Sequence, residues 1–294
     1  MTAPLRSFLF VPGDDEKKLA RSSNSGADAL IIDLEDSVSE SRKAIAREMT
    51  AAHVRAGAQQ KDGPSCWVRI NPLTTDLALH DLAAVMRFGP AGIVVPKIDG
   101  PADLIAVSHQ LDVLEVAFGL PSGSTLILPV VTETPIAALR LAELGQMTNV
   151  PRVYGFTWGA EDLSATVGAS TNTGPDRTWA TTYQMVRSQT LLAAAGAGVH
   201  AVETLHVDID DTSGLFDSTR AARAEGFTGR IAIHPRQVGP INDALTPSES
   251  ELEHARRVIT AFADSDTGVA TLDGKMLDAP HLRQARHVLS VGRR

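Results

Sequence analysis

Apolar residues fall along this chain in short runs bounded by turn residues, with stretches of helical spacing between them. Phe8-Leu9-Phe10-Val11 is the first run, stopped by Pro12-Gly13. A run that is apolar throughout, rather than alternating, is the pattern of a strand covered on both faces. The pattern returns at residues 27–33, 66–71, 92–97, 126–131, 152–157, 199–203 and 230–234. The intervals 15–23, 39–56, 77–88, 102–113, 135–144, 183–195 and 214–225 carry helix formers and predict helices. Asp14 is placed to cap the first, and Pro135 suits the first turn of another. Ser248 followed three residues on by Glu251 predicts a capping box opening a terminal helix over 248–263.

Eight strands alternating with helices predict an α/β chain closed into a (β/α)8 TIM barrel, since each βα unit puts its helix on the outer face. An open doubly wound sheet is the competitor, and the lack of G-x-G-x-x-G after the first strand weakens it. Residues 1–247 are assigned to the barrel, and 248–294 to a C-terminal helix and extension expected to pack on a neighbouring subunit. Residues 264–294 fall outside the barrel count. Residues 169–179, rich in Thr, Asn, Gly and Pro, read as an ordered loop near a site. Met185 and Leu191 read as core, and the histidines other than His234 as surface.

Composition narrows the picture. The chain has 294 residues, 43% of them hydrophobic, as in an ordinary globular protein. A net charge of -8 without a Lys/Arg cluster argues against nucleic acid as a partner. A single cysteine, Cys66, excludes an intrachain disulfide and a thiolate metal site, and suits a reducing cytosol. The opening Met1-Thr2-Ala3-Pro4-Leu5-Arg6 lacks a signal-peptide core, and no run is long enough to cross a bilayer. A cytoplasmic protein with no membrane partner is expected.

The predicted strand exits carry Glu35, Asp36, Arg69, Lys97, Glu133, Glu161, Asp162 and His234. In a barrel all of them stand at one rim, where catalytic groups collect. Glu133 and Asp162 leave consecutive strands and offer hard oxygen ligands, a Mg2+ arrangement rather than a zinc one. Each could instead cap the next helix. Arg69 presents a fork suited to a substrate carboxylate, or else pairs with Glu35 or Asp36. Lys97 could form a Schiff base, although it shows no evident partner and a structural salt bridge is the plainer reading. His234 could be a ligand or base, or a hydrogen-bonded rim histidine.

These residues sit in motifs that occur in order: Arg6-Ser7-Phe8-Leu9-Phe10-Val11-Pro12-Gly13, Asp33-Leu34-Glu35-Asp36-Ser37-Val38, Val68-Arg69-Ile70-Asn71, Val95-Pro96-Lys97, Glu133-Thr134-Pro135, Gly159-Ala160-Glu161-Asp162-Leu163, His234-Pro235-Arg236-Gln237 and Leu272-Asp273-Gly274-Lys275-Met276-Leu277-Asp278. Together they resemble the citrate lyase β-subunit-like branch of the HpcH/HpaI aldolase family over nearly the whole chain. The resemblance implies a Mg2+-dependent carbon–carbon lyase acting on a short 3-hydroxyacyl-CoA thioester of the malyl-, β-methylmalyl-, citramalyl- or citryl-CoA type. It implies Glu133 and Asp162 as metal ligands and Arg69 on the substrate carboxylate; in the mechanism expected for such a lyase, Glu35 and Asp36 orient waters and Arg69 beside them. It also implies Asp278 as acid or base, carried to a neighbouring subunit of a homotrimer or dimer of trimers. A citrate lyase β subunit working on a carrier-bound thioester, a malyl-CoA thioester hydrolase, a free pyruvate-aldehyde aldolase and a non-catalytic barrel stay open beside it. Lys17, Lys18 and Arg236 are candidates for CoA phosphates, with solvated surface charge as the alternative.

Overall fold

The computed structural model describes residues 4–58, 63–147, 152–175, 178–263 and 268–292. The opening Met1-Thr2-Ala3, two positions of the 169–179 loop and parts of the 264–294 segment lie outside the described residues. The chain divides into two compact units, 1–242 and 243–294.

The first unit is the barrel. Its strands are β1 (Ser7–Pro12), β2 (Ala29–Asp33), β3 (Ser65–Arg69), β4 (Gly92–Val95), β5 (Leu126–Pro129), β6 (Gly155–Thr157), β7 (His200–Glu203) and β8 (Gly229–Ala232). They run parallel in the order β5-β4-β3-β2-β1-β8-β7-β6. The ring closes between β5 and β6 through bridges Ile127↔Val153 and Val130↔Thr157, with Val131 N donating to Thr157 O at 2.8 Å.

Helices fill the crossovers: α1 (Glu16–Ser22), α2 (Lys43–Gly57), α3 (Leu77–Val85), α4 (Pro101–Phe118), α5 (Pro135–Leu139), α6 (Leu141–Gly145), α7 (Glu161–Val167), α8 (Thr181–Ala197) and α9 (Thr212–Glu225). The single helix expected over 135–144 breaks at Arg140, whose φ of -103° and ψ of 9° leave the helical basin. Asp15, not Asp14, caps α1 by accepting from Lys18 N at 3.0 Å, while Asp14 pairs with Arg42 at 2.6 Å. No described helix is long and apolar enough to cross a membrane.

The two-residue period of a strand decides what faces the lumen. Phe8, Ala29, Ile31, Trp67, Val94, Leu128, Val130, Tyr154, Val202 and Ile231 form one buried cluster. Within it Phe8, Trp67 and Tyr154 meet edge to face at centroid distances of 5.4–5.8 Å. Gly92 is required beside them, because a Cβ there would come within 2.2 Å of the Trp67 ring. Continuing the same parity one more step along β2 and β3 reaches Asp33 and Arg69. The apolar floor of the lumen therefore ends in a salt bridge at its mouth.

A larger cluster lies between strands and helices. On α8 the buried stripe is Tyr183, Val186, Thr190, Ala193 and Ala194. Met185 falls off that stripe and is 50% exposed, so it is not core; Leu191 packs partly buried against the cluster. His200 is not a surface residue: it is buried in β7, its ring 4.7 Å from that of Tyr154.

In the second unit, α11 (Glu249–Ala263) opens with the expected box, Ser248 N donating to Glu251 Oε2 at 2.8 Å and Glu251 N to Ser248 Oγ at 3.3 Å. A helix α10 (Val238–Leu245) precedes it. Beyond the barrel count the chain holds a hairpin, β9 (Ala270–Leu272) and β10 (Lys275–Leu277), and a helix, α12 (Ala279–Val291). Ala255, Val258, Leu277 and Ala285 make its small core.

Candidate active site at the barrel rim

The C-terminal ends of β2 to β6 bring an acidic cluster and two cations together. Register places Asp33 beside Arg69, and the guanidinium grips it with two bonds, Nε to Oδ1 at 2.7 Å and Nη2 to Oδ2 at 2.8 Å. Asp33 also accepts from Glu35 N at 2.9 Å and Ser37 N at 3.0 Å. Burial works against its charge, but Arg69 and these backbone donors hold the carboxyl below its ordinary value. Arg69 lies over the Phe10 ring at 4.6 Å and reaches Glu35 Oε2 with Nη1 at 3.0 Å. Its main partner is Asp33 and not the expected Glu35 or Asp36. Asp36 lies 4.0 Å away and its side chain is 56% exposed.

Glu35 is buried, and its backbone is fixed from below. Lys43 Nζ donates to Leu34 O, Glu35 O and Asn71 Oδ1, each at 2.8 Å, and Asn71 Nδ2 donates to Leu34 O at 3.0 Å. Burial raises the Glu35 carboxyl above its usual range against the pull of Arg69 and Lys97.

Strand β4 ends at Val95, two residues earlier than expected, and Lys97 takes a left-handed φ of 50°. That turn aims Lys97 N at Glu133 Oε2, 2.6 Å away. The Lys97 ammonium is not without partners: it lies 2.5 Å from Glu35 Oε1, 3.3 Å from Asp36 Oδ2 and 3.3 Å from Asp162 Oδ1. The structural ion pair is thus the reading that holds.

Glu133 leaves β5 and is 4% exposed. Burial, then the neighbouring charges of Glu35 and Asp162, push its carboxyl up to about 8. Neither Glu133 nor Asp162 caps a helix. Thr134 is the N-cap of α5, accepting from Ala137 N at 3.1 Å, and Ala160 is the N-cap of α7. The exits of β5 and β6 are stitched by Thr132, whose hydroxyl accepts from Gly159 N and donates to Gly159 O, both at 3.0 Å. Gly159 lets them approach, since a Cβ there would meet Glu133 Cγ at 3.0 Å.

Behind this stitch, Trp158 is buried and donates from Nε1 to Glu203 Oε1 at 2.6 Å, while Arg187 Nε donates to Glu203 Oε2 at 2.6 Å. Trp158 packs edge to face on Trp179 at 5.1 Å, and Asn172 Nδ2 donates to Glu161 Oε1 at 2.8 Å. The loop is tied to the segment bearing Asp162 at both points.

Other expected residues have contacts of their own. His234 Nδ1 accepts from Arg236 N at 3.2 Å, as a rim histidine. Arg236 and Lys18 are exposed and pair with Asp210 at 3.3 Å and Asp15 at 3.5 Å. Asp278 is the N-cap of α12, its Oδ1 2.6 Å from His281 Nδ1.

The donor chemistry at the rim fits a small hard cation. Glu133 meets the Lys97 backbone N and Asp162 the Lys97 ammonium, both with carboxylate oxygens and without thiolate or imidazole, and Glu133 carries repulsion from Asp162 that a cation would relieve. Among the described residues no group of three or more His, Cys, Asp or Glu forms a ready cage. Two protein carboxylates leave the remaining positions to water and substrate, as Mg2+ prefers. Asp33 and Glu203 were missed from sequence. Strand-exit position alone could have flagged Glu203, and the pairing of β2 with β3 could have flagged Asp33.

Comparison with known proteins agrees with this architecture. Residues 6–235 match the sequence profile described as HpcH/HpaI aldolase/citrate lyase. Citrate lyase subunit beta of Escherichia coli (strain K12) is 34% identical over 292 residues, 98% of this chain and 93% of that protein. Mitochondrial citramalyl-CoA lyase of Rattus norvegicus is 31% identical over 302 residues, 98% of this chain and 86% of that protein. The crystal structure of CitE from Mycobacterium tuberculosis in complex with magnesium, acetoacetate and coenzyme A superposes with a TM-score of 0.78 at 31% identity, covering 99% of this chain and 98% of that one.

Proposed function

Because the chain belongs to the HpcH/HpaI aldolase/citrate lyase family, we propose that it is a Mg2+-dependent carbon–carbon lyase acting on a short 3-hydroxyacyl-CoA thioester. The observation that carries the reading is the mutual repulsion of Glu133 and Asp162, each held by a different end of Lys97 at the rim, with Arg69 within electrostatic reach of Glu133. Magnesium and coenzyme A in the related CitE structure, and the citramalyl-CoA lyase activity named for the rat relative, support the cofactor and the substrate class.

Glu133 and Asp162 would hold the metal. When bound, Mg2+ supplies Lewis-acid charge to the carboxylate and neighbouring oxygen of the acid half of the substrate. In cleavage the bond between the α- and β-carbons of the thioester breaks. The β-hydroxyl loses its proton and becomes a carbonyl, and the electron pair passes to the α-carbon, which takes up a proton. Arg69, held rigid by Asp33, presents fixed positive charge to the oxygen as it changes between alkoxide and carbonyl. Glu35 and Asp36 orient Arg69 and Lys97. Asp278 of a neighbouring copy is assigned the proton at the α-carbon; its half-exposed carboxylate and its His281 partner suit a proton carrier.

The test is an assay of the purified protein with malyl-CoA and citramalyl-CoA, with Mg2+ and with EDTA. Glyoxylate or pyruvate together with acetyl-CoA, formed only with metal, is the expected result. No cleavage of any short 3-hydroxyacyl-CoA would sink the proposal, and malate plus CoA would convert it to thioester hydrolysis. The 34% identity to citrate lyase subunit beta favours a second reading, in which the thioester rides on a carrier protein. Full turnover on free CoA esters excludes that one.

A further inference from the structure

Lys97 meets the acidic cluster twice, once through its backbone and once through its ammonium. The backbone contact, Lys97 N to Glu133 Oε2 at 2.6 Å, is made from a left-handed φ of 50° that a residue with a Cβ adopts at a cost. The ammonium contacts Glu35, Asp36 and Asp162 at 2.5, 3.3 and 3.3 Å. Among the described residues, Lys97 is the one cation in ion-pair contact with Asp162. Arg69 is committed to Asp33 by two hydrogen bonds and turns its remaining nitrogen to Glu35. One flexible side chain, 28% exposed, therefore offsets charge on Asp162 while keeping two other carboxylate partners within reach.

From this geometry we propose that Lys97 is a resident counter-cation that competes with the divalent metal for Asp162. When metal takes Asp162, the ammonium releases that oxygen and stays on Glu35 and Asp36. The exchange breaks one 3.3 Å contact and preserves the others, so the side chain needs only a change of rotamer. Lys97 is on this account a positioning residue that lowers the affinity of the site for Mg2+ and stabilises the cluster before metal arrives. Removing its charge leaves the same carboxylates facing a divalent ion with less opposing potential.

The inference rests on Glu133 and Asp162 being the metal pair, and one experiment separates the two claims. Isothermal titration of Mg2+ into the full-length wild-type, Lys97→Met and Lys97→Arg proteins, without substrate, reads the dissociation constant directly. Lys97→Met is expected to bind about three- to ten-fold tighter, and Lys97→Arg to stay near wild type. In thermal melts Lys97→Met is expected to melt lower without metal and to gain more from Mg2+. Lys97→Gly, which also frees the left-handed backbone, gives the same comparison should Lys97→Met not fold. Unchanged or weaker binding in the charge-removed variant overturns the inference and leaves the metal pair standing. Failure of the wild-type protein to bind Mg2+ overturns both.

Discussion

Glu133 is a carboxyl whose place in the fold works against its own charge. Its ionisation is held back to about 8 by burial and by Glu35 and Asp162. A raised carboxyl favours the folded state while protonated, so its contribution is complete below the unfolded value near 4.5 and is lost as pH rises through about 8. Without metal, the melting temperature of the wild-type protein is thus expected to carry a falling component between those limits. Glu133→Gln keeps an acceptor for Lys97 N and removes the charge. It is expected to melt no lower than wild type at pH 8 in EDTA, and to lose Mg2+ binding in a titration. A lower melting point with retained Mg2+ binding would show the carboxylate to be structural. At this scale the sequence disclosed Glu133, Asp162, Arg69 and Lys97 because each stands in the last positions of an apolar run or in the short turn that follows it. It hid Asp33 because, although Asp33 closes its own apolar run, its role depends on pairing with a residue thirty-six positions away.

At the scale of elements, strands were legible because parallel strands buried on both faces are apolar without interruption. The hairpin of β9 and β10 was not, since only Ala270 and Leu277 are buried in it. Its signal lay in Asp273-Gly274, whose φ values of 50° and 75° suit a two-residue hairpin turn. Gly159→Ala places a methyl 3.0 Å from Glu133 Cγ and couples the β5 and β6 exits by contact. It is expected to weaken Mg2+ binding several-fold in a titration while costing about 1 kcal/mol or less of stability by denaturant melt. Asp278→Asn keeps a capping side chain on α12 and abolishes the acid. Turnover is expected to fall about 100-fold or more with an unchanged melting curve. Asp278→Ala should lose a further ~1 kcal/mol of helix capping.

For the whole molecule, the barrel rim gathers the groups proposed to bind metal and substrate, while the proposed proton carrier belongs to the smaller unit. If Asp278 serves a neighbouring copy, Glu133→Gln and Asp278→Asn proteins, each inactive alone, should recover a measurable fraction of turnover when co-assembled. Mixtures that stay at baseline would place the acid on its own chain's barrel or remove it from the chemistry. The rim also carries an optical consequence. Trp158 and Trp179 stand 5.1 Å apart with their planes inclined by 70°, one on the segment leading to Asp162 and the other on the loop across from it. Indoles at that separation share their excited states, so their ellipticity in the ultraviolet forms a paired band that vanishes when either ring turns away. A change in the relative orientation of the two rings is therefore expected to be readable by circular dichroism in the unlabelled protein.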